Sequence, residues 1–103
     1  MQIYLDTQVE KFIQQLTKPT IAKVLRMLDL LERFEYRLGM PHSKRVDHNI
    51  FELRIRGQQE VRIFYTFHNT TIILFYGFIK KSNSIPKHEL KTLYEKFAAL
   101  DII

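Results

Sequence analysis

The sequence predicts an α+β fold: two N-terminal helices packed on a small antiparallel sheet, followed by a C-terminal helix. Three observations carry this. Residues 49–86 hold three apolar-rich runs separated by the polar breaks Gly57-Gln58-Gln59 and His68-Asn69-Thr70, the pattern of a three-stranded meander. Residues 5–38 repeat apolar side chains at helical spacing. After Pro86, Leu90, Leu93, Phe97 and Leu100 recur at that spacing. A chain of 103 residues that is 46% hydrophobic fits one domain, 1–103, around a single modest core.

In order, Leu5, Val9, Phe12, Ile13 and Leu16 predict an amphipathic helix over about Asp6–Leu16, with Asp6 or Thr7 as its cap. Ile3 and Leu5 alternatively end a short edge strand, a fourth strand of the sheet. Pro19 suits the first turn of a second helix. The stripe Ile21, Val24, Leu25, Leu28, Leu31 and Leu38 carries that helix to Gly39, a C-terminal cap. Gly39–His48 is expected to be a loop. In the first strand Phe51, Leu53 and Ile55 face opposite to Glu52, Arg54 and Arg56; in the second, Val61, Ile63, Tyr65 and Phe67 face opposite to Arg62, Phe64 and Thr66. The third, Ile72–Ile79, is apolar on both faces, as befits a central strand covered on both sides. Lys80–Ile85 is a second basic loop, and Pro86 opens the last helix.

Charge is unevenly placed. Residues 1–38 carry a net +1, residues 39–91 a net +5 and residues 92–103 a net −1. An excess confined to the meander and its flanks points to a polyanion, most often nucleic acid; the plainer alternative is a solubilising surface. Arg54, Arg56, Arg62, Lys80 and Lys81 are expected on the sheet's outward face and one end. No apolar run reaches the about 18 residues of a membrane span. The first residues lack the charged start and long apolar middle of a signal peptide. With no cysteine, disulfides and thiolate chemistry are excluded, and a cytoplasmic location is expected.

The candidate chemistry is narrow. The four histidines are scattered, with no HxH, HExxH or carboxylate cluster, so no metal site and no cofactor is expected. Phosphate-cradling glycine loops and nucleophile motifs are absent as well. Arginines, lysines and a few aromatic residues remain. That set suits phosphodiester chemistry without metal: cations hold the phosphate and stabilise charge as a ribose 2′-hydroxyl attacks. Phe64 is placed among the cations to stack a base. A passive nucleic-acid-binding module needs the same residues.

The segments Glu52-Leu53-Arg54, Arg62-Ile63-Phe64-Tyr65 and Gly77-Phe78-Ile79-Lys80-Lys81, then Ile85-Pro86 and Glu89, with Gly39 and Pro41-x-x-Lys44 before them, resemble the RelE/ParE superfamily of type II toxin–antitoxin toxins. The nearest branch is the HigB-like, phage-derived group. The resemblance spans about residues 20–100. It implies a RelE-like fold and a ribosome-dependent mRNA endoribonuclease. It further implies a helix-turn-helix antitoxin as partner and the toxin as a monomer within a toxin–antitoxin hetero-oligomer. Arg62 matches the strand arginine assigned to the scissile phosphate. Arg54, Lys80 and Lys81 stand near other basic catalytic positions. Lys44, Arg45, Arg56, Phe64, Lys87 and His88 are the expected RNA contacts. The pattern departs from the family in three places: Tyr94 lies too far along the last helix to match the catalytic tyrosine of some members, Tyr76 stands where relatives often have histidine, and Ile85 stands where a capping threonine is common. The ParE branch shares the fold and poisons DNA gyrase, which makes gyrase inhibition the alternative reading.

Overall fold

The computed structural model describes residues 1–100; Asp101, Ile102 and Ile103, which with Leu100 form an apolar stretch that the sequence offers as a surface for the antitoxin, lie outside the described residues. The N-terminal edge strand is present as β1, Gln2–Leu5. The Asp6 carboxylate then accepts the Gln8 N–H at 3.1 Å and starts α1, Thr7–Gln14, satisfying one of the donors a helix start leaves open. Helix α2, Lys18–Phe34, begins with Pro19 in its first turn.

Two details of α2 differ from expectation. It stops at Phe34, because Glu35 turns to φ 51° and a 3₁₀ turn follows over Glu35–Arg37. The Glu35 carboxylate there accepts from the N-terminal ammonium at 2.7 Å, which ties the helix end to the start of β1. The buried stripe is Thr20, Val24, Met27 and Leu31, and Leu25 is 55% exposed. Apolar residues at 24, 25, 27, 28, 30 and 31 surround most of the helix, so spacing alone does not fix which face turns inward.

The sheet has five strands in the order β1-β5-β4-β3-β2. The meander is β3, Ile50–Ile55, β4, Val61–His68, and β5, Thr71–Ile79. Asn69 takes φ 55° in the β4–β5 turn, a left-handed conformation that Asn tolerates. A further strand, β2, Ser43–Asp47, forms inside the expected loop and pairs antiparallel with β3. The sheet is mixed, because β1 pairs parallel with β5. A helix, α3, spans Lys87–Ala98.

The sheet is covered on both faces. Under α1 and α2 lie Leu53, Ile55, Val61, Ile63, Tyr65, Phe67, Ile72 and Leu74. On the opposite face Ile50, Phe64, Ile73, Phe75 and Phe78 pack with Leu93 of α3. This corrects the expectation of an open basic face: α3 occupies most of it. A bulge opposite Phe64 and Tyr65 lets β5 serve both cores. Phe64 pairs with Tyr76 and Tyr65 with Leu74, so Phe75 is the extra residue. Ile72 and Leu74 face one core, while Phe75 and Tyr76 both fall to the other. No helix among the described residues is long and apolar enough to cross a membrane.

Candidate active site

At the end of the sheet that α3 leaves uncovered, the β3–β4 hairpin sets Arg54 directly opposite Arg62. Like charges placed across a strand pair repel, so something must hold them. Glu52 Oε1 lies 3.5 Å from Arg54 Nε and 4.0 Å from Arg62 Nε, and Glu60 Oε1 lies 3.4 Å from Arg62 Nη2. Arg62 Nη1 donates to the Val61 carbonyl at 2.9 Å. Arg62 is 2% exposed, which corrects its expected place on an open surface.

Arg54, Arg56, Arg62, Lys80 and Lys81 line one cavity of about 430 Å³, together with Glu60, Ser82 and Asn83. The Lys80 N–H donates to the Glu60 carbonyl at 2.6 Å, which sets the two lysines at the rim. The buried Nε atoms of Arg54 and Arg62 have no hydrogen-bond partner among the protein atoms. Both are ion-paired by distance, yet Glu52 makes a hydrogen bond to neither, lying 4.0 Å from Arg62 Nε and poorly placed at 3.5 Å from Arg54 Nε. Buried donors are almost always satisfied, and a guanidinium is costly to bury. An anion entering the cavity would meet five cationic side chains, and phosphate suits guanidinium donors geometrically.

The field of the site is visible on Glu60. Burial pushes its carboxyl up, but the Gly57 N–H, the Arg62 charge and hydrogen bond and the Arg56 charge outweigh this, and it settles below its ordinary value. Glu60 is therefore ionised at neutral pH, a counter-charge for Arg62 rather than a proton donor. Tyr76 behaves oppositely. Burial, its hydrogen bond to Glu89 and the Glu89 charge raise its hydroxyl well above the usual tyrosine range. It stays protonated and serves to join β5 to α3.

The other expected RNA contacts lie apart. Phe64 is 0% exposed and stacks on Phe78 and Tyr76, with centroids at 5.8 and 6.2 Å; it has no open face for a base. Lys44 and Arg45 stand on β2, with Lys44 opposite Glu52. Arg45 folds back on the turn, its Nη2 donating to the His48 carbonyl at 2.6 Å. Lys87 and His88 open α3, and His88 lines a neighbouring cleft that shares Lys81 and Ser82 with the cationic one. Tyr94 donates to Asp47 Oδ2 at 2.6 Å and ties α3 to the β2 edge. Sequence reasoning offers Glu52 or Glu60 as a cross-strand partner of Arg54, and the structure pairs Arg54 with Glu52; it missed that both acids also hold Arg62, and it missed the rim residues Ser82 and Asn83. A signal for the carboxylates exists in the alternation Glu52-x-Arg54 and Glu60-x-Arg62, which puts each acid beside its arginine on one face of a strand. Among the described residues no group of three His, Cys, Asp or Glu side chains is placed to hold a metal ion.

Compared with known families, residues 11–98 match the family described as Phage derived protein Gp49-like (DUF891). No curated protein matches the chain.

Proposed function

The chain belongs to the phage-derived Gp49-like family, a RelE/HigB-type toxin family, and from that premise we propose that it is a type II toxin that cuts mRNA on the ribosome. Family membership implies a cognate antitoxin. In this reading the antitoxin is a helix-turn-helix protein, the toxin is a monomer within the hetero-oligomer, and both act in the cytoplasm. One observation carries the reading: Arg62, buried at the foot of a five-cation cavity with its Nε donor unmatched. Such an arrangement is expensive for a fold and useful for a phosphodiester.

The chemistry follows from the charges. As the ribose 2′-hydroxyl loses its proton and its oxygen bonds to the adjoining phosphorus, the P–O5′ bond breaks. The leaving 5′-oxygen takes up a proton to become a hydroxyl, and a 2′,3′-cyclic phosphate remains. Along this path negative charge grows on the non-bridging oxygens. Arg62 and Arg54 are held in place before the reaction starts, so they stabilise that charge without reorganising. Lys80 and Lys81, at the rim, draw the strand in by charge. A catalyst of this kind uses side-chain cations where others use a metal.

The test adds purified protein to a translating extract and maps mRNA 5′ ends, with Arg62→Met alongside. Codon-phased cuts made by the wild type and lost in the variant are expected. Intact mRNA with damaged DNA in expressing cells overturns the reading in favour of a ParE-like gyrase inhibitor. Binding of RNA with neither effect favours a non-catalytic nucleic-acid-binding module.

A further inference from the structure

A second cavity, of about 310 Å³, lies against the first and shares Arg54 and Arg56 with it. It exists because β2 starts late. Ser43 pairs with Leu53, and the last link along that edge is the Arg54 N–H donating to the His42 carbonyl at 2.8 Å. Beyond it no strand among the described residues pairs with the edge of β3, and α2 forms the opposite wall. The two cavities differ in character. The first is lined almost wholly by charged and polar groups; the second has Met27, Leu30 and Ile55 for walls, with cations at its mouth.

We propose that this second cleft, between α2 and β3, holds the nucleoside adjoining the phosphate in the cationic cavity. The proposal rests on the RNA reading of the first cavity and adds a base-recognition subsite to it. Its volume falls at the lower end of the roughly 300–1,000 Å³ range of small-ligand pockets. An apolar slot beside a phosphate site matches a nucleotide, which is apolar on its base faces and anionic a few bonds away.

Arg54 is the hinge of the arrangement. Arg54 lines both cavities, and its Nη1 contacts Met40 Sδ at 3.7 Å. A guanidinium there presents donors to the phosphate and a flat face to a base. Met40 is 63% exposed beside it, an apolar, adaptable side chain at the entrance. Lys23 Nζ donates to the Arg56 carbonyl at 3.0 Å and crosses the space over Gly57 that a Cβ there would fill. Gly57 thus leaves room for a cation at the mouth of the slot.

The experiment uses the intact protein and four probes: adenosine, guanosine, cytidine and uridine 5′-monophosphates, each compared with ribose 5-phosphate by calorimetry. Methyl NMR of Met27 and Leu30 reports where the base goes. At least one nucleotide is expected to bind about 10-fold tighter than ribose 5-phosphate, with shifts at those methyls, and Leu30→Gln is expected to collapse that ratio. Equal affinity for nucleotide and ribose 5-phosphate, or tighter nucleotide binding with unmoved methyls, overturns the subsite while leaving the phosphate site standing. Failure of every probe to bind, ribose 5-phosphate included, overturns the phosphate site and the subsite together.

Discussion

Arg62 and Phe64 stand two residues apart on one face of β4, and both are almost fully buried, yet their ends of the face are built on opposite terms. Around Phe64, stacked aromatic rings lie with Leu93 of α3. Burial there is its own reward, because apolar area leaves water. Around Arg62 there is no helix. A guanidinium sits against Glu52 and Glu60 with one donor unmatched. Such a group is weak evidence for stability, and perturbed charge gathered in a cleft is the usual mark of a functional site. One half of the face holds the fold together, and in the proposed reading the other half is kept ready for an anion.

Arg62 substitutions probe that contrast hardest. Arg62→Ala is expected to lower the cleavage rate about 100- to 1000-fold, by analogy with loss of an oxyanion donor. Because the side chain is buried, it is also expected to lower stability by about 2–4 kcal/mol, through a cavity and weakly compensated carboxylates. Arg62→Met separates the two effects. An unbranched apolar side chain fills the space but leaves Glu52 and Glu60 without Arg62, so urea denaturation should show only the cavity's share of the stability restored while cleavage stays lost. A folded Arg62→Met protein that cuts RNA at the wild-type rate would erase the distinction between the two ends.

The converse change is Leu93→Ala. Leu93 is buried under α3 at the apolar end, and its truncation is expected to cost about 3 kcal/mol. Urea midpoints measure this. Cleavage per folded molecule should be unchanged, because no α3 residue lines the cationic cavity. Lost activity at full folding would mean that α3 shapes the site.

How far this division is legible in the sequence depends on the region. The alternation Phe51, Leu53, Ile55 and then Val61, Ile63, Tyr65, Phe67 specifies the α1–α2 core directly, because the intervening residues are polar or charged at most positions. β5 is apolar on both faces, so its period carries no phase and conceals the bulge at Phe75. β2, Ser43-Lys44-Arg45-Val46-Asp47, has no apolar alternation at all. It is a strand because it caps the β3 edge with charged residues, a habit of edge strands, and because Ser43 hydrogen-bonds the Tyr65 hydroxyl. At the site, the local charge excess points to Arg54, Arg56, Arg62, Lys80 and Lys81, and the fold does gather them around one cavity. The burial of Arg62 and the loss of Phe64 to the core are tertiary facts. The loss of Phe64 follows from where α3 lands, and Arg62 is buried against Glu52 and Glu60; no spacing within β4 encodes either.

The rim sharpens the contrast by a smaller amount. Lys80 and Lys81 are half-buried and exposed respectively, and screened surface charges contribute little each. Lys80→Ala and Lys81→Ala are each expected to weaken binding of a short RNA about 3- to 5-fold, with no change in stability. Each should also lower the salt dependence of binding by about one phosphate's worth. Fluorescence anisotropy across a salt series measures both. A loss as large as that from Arg62→Met would move the centre of the site from the buried arginine to the lysines.

The smallest expected effect concerns the clamp that holds α3 to β2. Tyr94 donates to Asp47 at 2.6 Å. That bond, with the His48 N–H and the charges of His48 and Arg45, lowers the Asp47 carboxyl below its ordinary 3.8. The same bond, followed by burial and the Asp47 charge, raises the Tyr94 hydroxyl above its ordinary 10.0. A carboxyl lowered by folding stabilises above its unfolded value, and that contribution fades as pH falls through the folded one. A phenol raised by folding stabilises below its unfolded value, and that contribution fades as pH rises through the folded one. The clamp should therefore act across the window from 3.8 to 10.0 and weaken on either side. Both groups are exposed, so the effect is small and screened. Tyr94→Phe is expected to lower the thermal midpoint slightly at neutral pH, and the difference from wild type should shrink towards both extremes. Cleavage should not change, because neither residue lines the cationic cavity. A variant as stable as wild type at neutral pH would show that the Tyr94 ring, and not its hydroxyl, holds α3 in place.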